Sequence, residues 1–311
     1  MEERRSILSW QWLAGLAGLV AAALVVAPGR AEAAGASNCS LSTSGIAFSP
    51  YDSLAQTQVD GVGTITVTCN GSGSDALSLN ITGGNTPVSS ACANSRQMKS
   101  GANVLNYRLF RDAARTSPFC DGTNRMDVIL NFTTSPQSFT FNFYGRVTTP
   151  QNPVYSASGY SDSLTVSLKN GGSTLASTTL PVSGSVAANC SVSAGTLGFG
   201  SYSGAQVNSS ATVSVNCSNG APYQVSLGGG SNQSGSTRRM AGPLSSYLNY
   251  ELFRDSARTL AWGDGSAQLG SRQSGTGSGN AQSLTVYGRI PAGQSPAAGS
   301  YSDSVVVTVE Y

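Results

Sequence analysis

Residues 105–116 read LNYRLFRDAART, and residues 248–259 read LNYELFRDSART. Ten of the twelve positions agree, at an offset of 143 residues (248 − 105). Identity of that length within one chain is internal repetition, and a period of this size is that of a domain, not of a solenoid unit. The same offset carries Tyr144-Gly145-Arg146-Val147 onto Tyr287-Gly288-Arg289-Ile290. Neighbouring offsets carry Asn38-Cys39-Ser40 onto Asn189-Cys190-Ser191, and Tyr160-Ser161-Asp162-Ser163 onto Tyr301-Ser302-Asp303-Ser304. The chain reads as a leader over residues 1–36 and two tandem copies of one domain, 37–186 and 187–311.

Charged residues make up only 10% of the 311, and the net charge of +2 supplies no basic stripe for nucleic acid. Histidine is absent, which removes the commonest general base and the commonest metal ligand. Glycine is spread between alternating apolar runs, as in many short strands joined by tight turns. No catalytic, cofactor or metal site is expected. The Gly-rich pieces at Gly228–Gly230 and Gly275–Gly279 lack the Lys-Ser/Thr ending of a phosphate-binding loop.

Two arginines, Arg4 and Arg5, precede an apolar run from Leu13 to Val26, followed by small-residue sites at Ala31-Glu32-Ala33 and Ala34-Gly35-Ala36. This is the layout of a cleaved export signal; an uncleaved membrane anchor is the rival reading. Six cysteines agree with an oxidising destination. Cys39/Cys69 and Cys190/Cys217 occupy matching places in the two copies, whereas Cys92 and Cys120 have no counterparts. Four cysteines in copy one allow three connectivities, and the repeat selects Cys39–Cys69, leaving Cys92–Cys120.

Strands are expected near 61–69, 76–82, 104–111, 127–132, 138–147 and 160–169. Alternation is clearest in Ser138-Phe139-Thr140-Phe141-Asn142-Phe143. Turn signals between them, such as Asn70-Gly71 and Asp121-Gly122, complete the pattern of an all-β immunoglobulin-like β-sandwich in each copy. The two copies differ at their ends. Copy one continues past Asn170-Gly171-Gly172 into one more strand, with Leu175, Leu180 and Val182 for the core. Copy two reaches Tyr311 at the position of Asn170 and lacks that closing strand. Its last run, with Val305, Val307, Val309 and Tyr311, is expected to be an edge that accepts a strand from another chain. A strand burying four or five apolar side chains is worth roughly 10 kcal/mol, against about 5–15 kcal/mol for a whole domain.

With the Asn-Cys-Ser opening, the LNYxLFRDxxR core, the YGR strand and the terminal YSDSVVVTVEY, the chain resembles the spore coat protein U domain family, the pilins of archaic chaperone–usher pili. The resemblance implies a two-domain tip adhesin whose partners are a neighbouring pilin subunit donating a strand, a periplasmic chaperone, an outer-membrane usher and an abiotic or host surface. Ordinary subunits of the family carry an alternating apolar extension before the first cysteine; here only a few residues separate the cleavage sites from Cys39. The resemblance also implies hydrophobic loops at the far end of copy one. Strand directions alternating back from the closing strand place the turn 170–172, the connection 70–75 and the segment 112–126 at that end. The candidate contact residues are Asn70, Gly71, Pro118, Phe119, Gly122, Asn170 and Gly171, with Phe119 as an ordinary core residue the competing reading. A structural subunit of an extracellular coat or matrix is the alternative function. Arg111-Asp112 and Arg254-Asp255 are read as a structural turn or surface ion pair.

Overall fold

The computed structural model describes residues 35–86 and 96–311. The leader, up to residue 34, and Cys92 lie outside the described residues. The first copy contains ten strands: β1 Ser37–Thr43, β2 Ile46–Ala47, β3 Val59–Asn70, β4 Gly73–Gly83, β5 Arg96–Ser100, β6 Asn103–Phe110, β7 Met126–Phe132, β8 Gln137–Val147, β9 Tyr160–Asn170 and β10 Ser173–Gly184. The second contains β11 Cys190–Ala194, β12 Val207–Cys217, β13 Pro222–Leu227, β14 Arg238–Ala241, β15 Tyr247–Phe253, β16 Gln273–Thr276, β17 Ala281–Ile290 and β18 Val307–Glu310. All six expected strands of copy one form. The additional β1, β2 and β5 are short or mostly polar, and their periodicity is correspondingly weak.

In the first domain the sheet runs β1-β3-β8-β6-β5-β9-β10-β2, with β4 between β7 and β9. It folds into two layers, β1-β3-β8-β6-β5 and β7-β4-β9-β10-β2, joined through the single pair Lys99–Ser161. Alternate residues face the space between: Ile65 and Val67 of β3, Leu105 and Tyr107 of β6, and Leu164, Val166 and Leu168 of β9 are all buried. The second domain rebuilds the same layers as β11-β12-β17-β15-β14 and β16-β13-β18. Its second layer has counterparts of β7, β4 and β9 and none of β10 or β2.

Disulfides Cys39–Cys69 and Cys190–Cys217 tie β1 to β3 and β11 to β12, with Cα atoms 4.1 Å apart in both. The expected partner of Cys120 is Cys92, so that pair falls outside the described residues; no described cysteine is free.

The duplicated stretch holds the layers together. Tyr107 donates to Asp162 at 2.6 Å, and Tyr250 to Asp303 at 2.7 Å, linking one layer to the other. Asp112 accepts the amides of Thr116 and Ser117 (3.0 and 2.6 Å), as Asp255 accepts those of Thr259 and Leu260 (3.0 and 2.7 Å). Both carboxylates wrap a tight turn. Arg115 and Arg258, each at φ 58°, reach back to the carbonyls of Gly145 and Gly288. The glycine of the YGR strand is required there, because a Cβ on Gly145 would stand 2.6 Å from the Ile46 side chain. The Arg-Asp pair is therefore a structural turn.

The segment 112–126 is not at the far end of the domain. β6 and β7 run the same way on opposite layers, as two halves of one broken strand. β6 stops at Phe110 opposite Tyr144, partway along β8, and the chain crosses to the other layer there. Phe119 drives the crossing: its amide donates to the Leu109 carbonyl at 2.9 Å, its ring lies 6.4 Å from that of Phe143, and it is 1% exposed. Trp262, at the same place in copy two, is equally buried and donates to the Leu252 carbonyl at 2.9 Å. Phe119 is thus a core residue and Pro118 and Gly122 sit on the flank, while the turn 133–136 takes the expected place beside Asn70–Gly73.

Phe119→Ser should lower the unfolding free energy of the first domain by about 3–5 kcal/mol, read from urea denaturation. A variant as stable as the parent would show the ring to be dispensable. The amides of Thr116 and Ser117 hold the Asp112 carboxyl at about 2. Because its folded pKa lies below the unfolded value, this stabilisation is complete above about pH 4. It is lost as pH falls towards 2. Asp112→Asn should remove that component from the melting temperature followed from pH 5 to 2, and an unchanged profile would count against the capping role.

A strand-accepting groove in the second domain

The functional candidate lies where the two domains differ. In the first, β10 pairs with β9 along its whole length, from Ser173–Asn170 to Gly184–Tyr160. Its inward row, Ala176, Thr178, Leu180 and Val182, stands opposite Leu168, Val166, Leu164 and Asp162. Leu180 and Val182 are buried, as are Leu164, Val166 and Leu168 beneath them. β2 then adds in parallel on the far side of β10. Only two of the closing strand's side chains are both large and fully buried, fewer than the four or five expected, so the strand's own side chains supply about 3–6 kcal/mol. The remainder of its effect comes from covering β9.

In the second domain β18 occupies the place of β9 and pairs with β13, through Val307–Leu227, Val309–Val225 and Glu310–Gln224. Among the described residues β18 has a sheet partner on that side alone. Val305, Val307 and Val309 are half-buried where their counterparts are sealed, and Val306 is 71% exposed. Tyr311 follows β18 and is exposed. Beside this edge opens a groove of about 1190 Å³. Val213, Leu248, Tyr250, Leu252, Val286 and Ile290 are among its lining residues.

The opposite lip is Leu197-Gly198-Phe199, which aligns with Ile46-Ala47 of β2 and the Phe48 that follows it. Phe199 lies 6.1 Å from the ring of Tyr250, as Phe48 lies 5.9 Å from Tyr107. With no strand between it and β18, this lip forms no sheet pairing. Sequence reasoning missed it. The spacing from the first cysteine, seven residues in each copy, is the signal that marks it.

Charged side chains at and behind the groove wall are already paired within the domain. Arg238 is buried and donates to the carbonyls of Leu227, Gly228 and Trp262 at 2.8–3.0 Å; burial lowers its pKa from the ordinary arginine value. Asp303 accepts from Tyr250 and from both nitrogens of Asn232. Burial, reinforced by Asp303, pushes the Tyr250 phenol above its usual range. An occupant would meet apolar side chains and an open backbone edge, the chemistry of strand addition.

A pair of β-sandwiches, one closed and one open along an edge, is the class that this fold and groove define. The chain belongs to the Spore Coat Protein U domain family, whose profile matches residues 25–167 and 176–308. Protein U of Myxococcus xanthus is 32% identical over 145 residues, covering 42% of this chain and 79% of that protein. Among solved structures, similarity extends to a chain of the CsuC–CsuE chaperone–tip adhesion subunit pre-assembly complex from archaic chaperone-usher Csu pili of Acinetobacter baumannii. It has a TM-score of 0.48 and 18% identity, over 87% of this chain and 100% of that one. The CupB6 tip adhesin from Pseudomonas aeruginosa has a TM-score of 0.39 and 11% identity, over 88% and 94%.

Proposed function

We propose that the chain is an exported pilus tip subunit, whose second domain accepts a donated β-strand from the next pilin and whose first domain meets a surface. The observation that carries this reading is the contrast between Val305, Val307 and Val309, half-open beside an empty groove, and Leu164, Val166 and Leu168, sealed beneath β10. A periplasmic chaperone would lend the strand in transit, and an usher would exchange it for the pilin's. The two described disulfides suit that route.

β10 supplies a donor of known register. A synthetic Ser173–Gly184 peptide should raise the melting temperature of the second transition in the full chain in a concentration-dependent manner. Val307→Arg should abolish the response. Insensitivity of the unsubstituted chain to the peptide would sink the acceptor reading.

For surface contact, the turns at Asn70–Gly73 and 133–136 stand together, the Gly71 amide donating to the Ser135 hydroxyl at 3.1 Å, with Phe132 half-buried beside them and edge-on to Phe139; the turn Asn170–Ser173 lies towards the same end, set back along β4. Thr134→Asp with Pro136→Asp, both exposed, should reduce attachment to apolar surfaces while leaving fibre assembly and stability unchanged. A coat or matrix subunit, the alternative that the family's description as a spore coat domain suggests, would show no attachment for those substitutions to remove.

A further inference from the structure

In chain order, the strand that closes the first domain is the leader of the second. β10 ends at Gly184 beside Tyr160, and four residues later the chain enters Asn189-Cys190. The family profile divides the chain the same way. Its second match opens at 176, inside β10 and 14 residues before Cys190 (190 − 176), and its first opens 14 residues before Cys39 (39 − 25). The first domain is therefore a strand acceptor already filled, and the joint between the domains is the contact that a donor's body makes with its acceptor.

That joint is polar and specific. Asn189 donates to Asp52 at 2.6 Å, Asn219 donates to the Asn152 carbonyl at 3.3 Å, and the Tyr155 amide donates to the Asn219 carbonyl at 2.6 Å. Asn152 completes it with a 3.4 Å bond to the Ser278 carbonyl.

The frame that presents this face is rebuilt at the lower end of the second domain. Gln151 accepts the Asn106 amide and takes its own amide proton to the Tyr51 oxygen; Gln294 does the same with Asn249 and Tyr202. The side-chain nitrogen of Gln151 reaches the Thr148 carbonyl, as that of Gln294 reaches Pro291. Tyr160 donates to the Val154 carbonyl, as Tyr301 donates to Ala297. In the first domain this frame holds Asn152–Tyr155 against the second. In the second it holds Ser295–Ala298, which touch only their own domain among the described residues, the Ala297 amide donating to the Ser246 hydroxyl at 3.0 Å.

The same end carries a feature absent from the first domain. Where β5 and β6 are joined by Gly101-Ala102, β14 and β15 are joined by Gly242–Ser246. Its Leu244 is 92% exposed at φ 54°, followed by Ser245 at φ 57°. A leucine held in the left-handed region and fully in water is unfavourable on both counts, and a covering partner relieves the second.

We infer that the lower end of the second domain, comprising Ser203, Ser295–Ala298 and Leu244, docks the body of the subunit whose strand fills the groove, with the joint of this chain as its pattern. The occupant is a further domain of this family, presenting the asparagine of its Asn-Cys opening as Asn189 does. This inference rests on the strand-acceptor reading above.

Two ligands distinguish it from that reading, each against the full chain. One is the Ser173–Gly184 peptide. The other is the full chain with residues 176–189 in place of 25–38, carrying Val307→Arg so that it donates and does not accept. The strand joined to a body should dissociate on the order of tenfold or more slower than the peptide. Leu244→Asp in the acceptor should bring the two rates together without changing the peptide's. Ser203→Asp, which restores the carboxylate found at Asp52, should slow the body-bearing ligand further. Equal rates from the unsubstituted acceptor, or indifference to Leu244→Asp, would overturn the docking face and leave the groove standing. Failure of the peptide to bind would remove the groove, and this inference with it.

Discussion

The structure depends on whether one strand edge is covered. β9 and β18 present the same alternating row, and in both domains the row is too apolar to face water and too regular to leave its backbone unpaired. In the first domain β10 covers it and draws β2 in behind. In the second the row stands half-open, Leu197 and Phe199 remain as a lip without strand pairing, and a groove opens along one side of the core. Each difference between the halves in this layer follows from that one substitution of solvent for a strand.

The rest of the sandwich tolerates the gap because its layers are joined by bonds independent of the missing strand. Tyr250–Asp303, the Arg258 reach to Gly288 and the Asp255 turn are all present in the open domain, as their equivalents are in the closed one. Arg238, donating to three carbonyls, secures the groove wall from inside. A domain built this way keeps its two layers joined with that edge open. This accounts for the near-identity of the twelve-residue stretch in the two copies: it joins the layers and, through Leu248, Tyr250 and Leu252, it also lines the groove.

Much of this was legible in the sequence because repetition converts local pattern into comparison. The strands with strong period-two alternation, the Cys39–Cys69 and Cys190–Cys217 pairs and the absent closing strand could all be read by setting one copy against the other. Errors arose where a single copy was read alone. Simple alternation of strand directions puts segment 112–126 at the far end, whereas β6 and β7 are one direction split between layers. The tryptophan standing at the position of Phe119 in copy two is a core signal that corrects the assignment. The lower-end frame is invisible in the sequence because it consists of hydrogen bonds between residues far apart in the chain, Tyr202 with Gln294 and Gln294 with Asn249, and the exposure of Leu244 depends on a left-handed turn that no glycine or asparagine announces.

The hairpin at Gly171-Gly172 has a mechanical consequence. It joins β10 to β9 at the end away from the second domain, so tension applied between a held first domain and whatever hangs below enters β10 at Gly184 and runs along its axis. The strand is then loaded in shear, with every rung from Gly184–Tyr160 to Ser173–Asn170 sharing the pull, not opened one rung at a time. Where a donated strand lies alongside β18 in the sense of β10, the next joint is loaded in the same direction. Resistance to drag is thereby set by strand length and register, and not by the strength of any single contact.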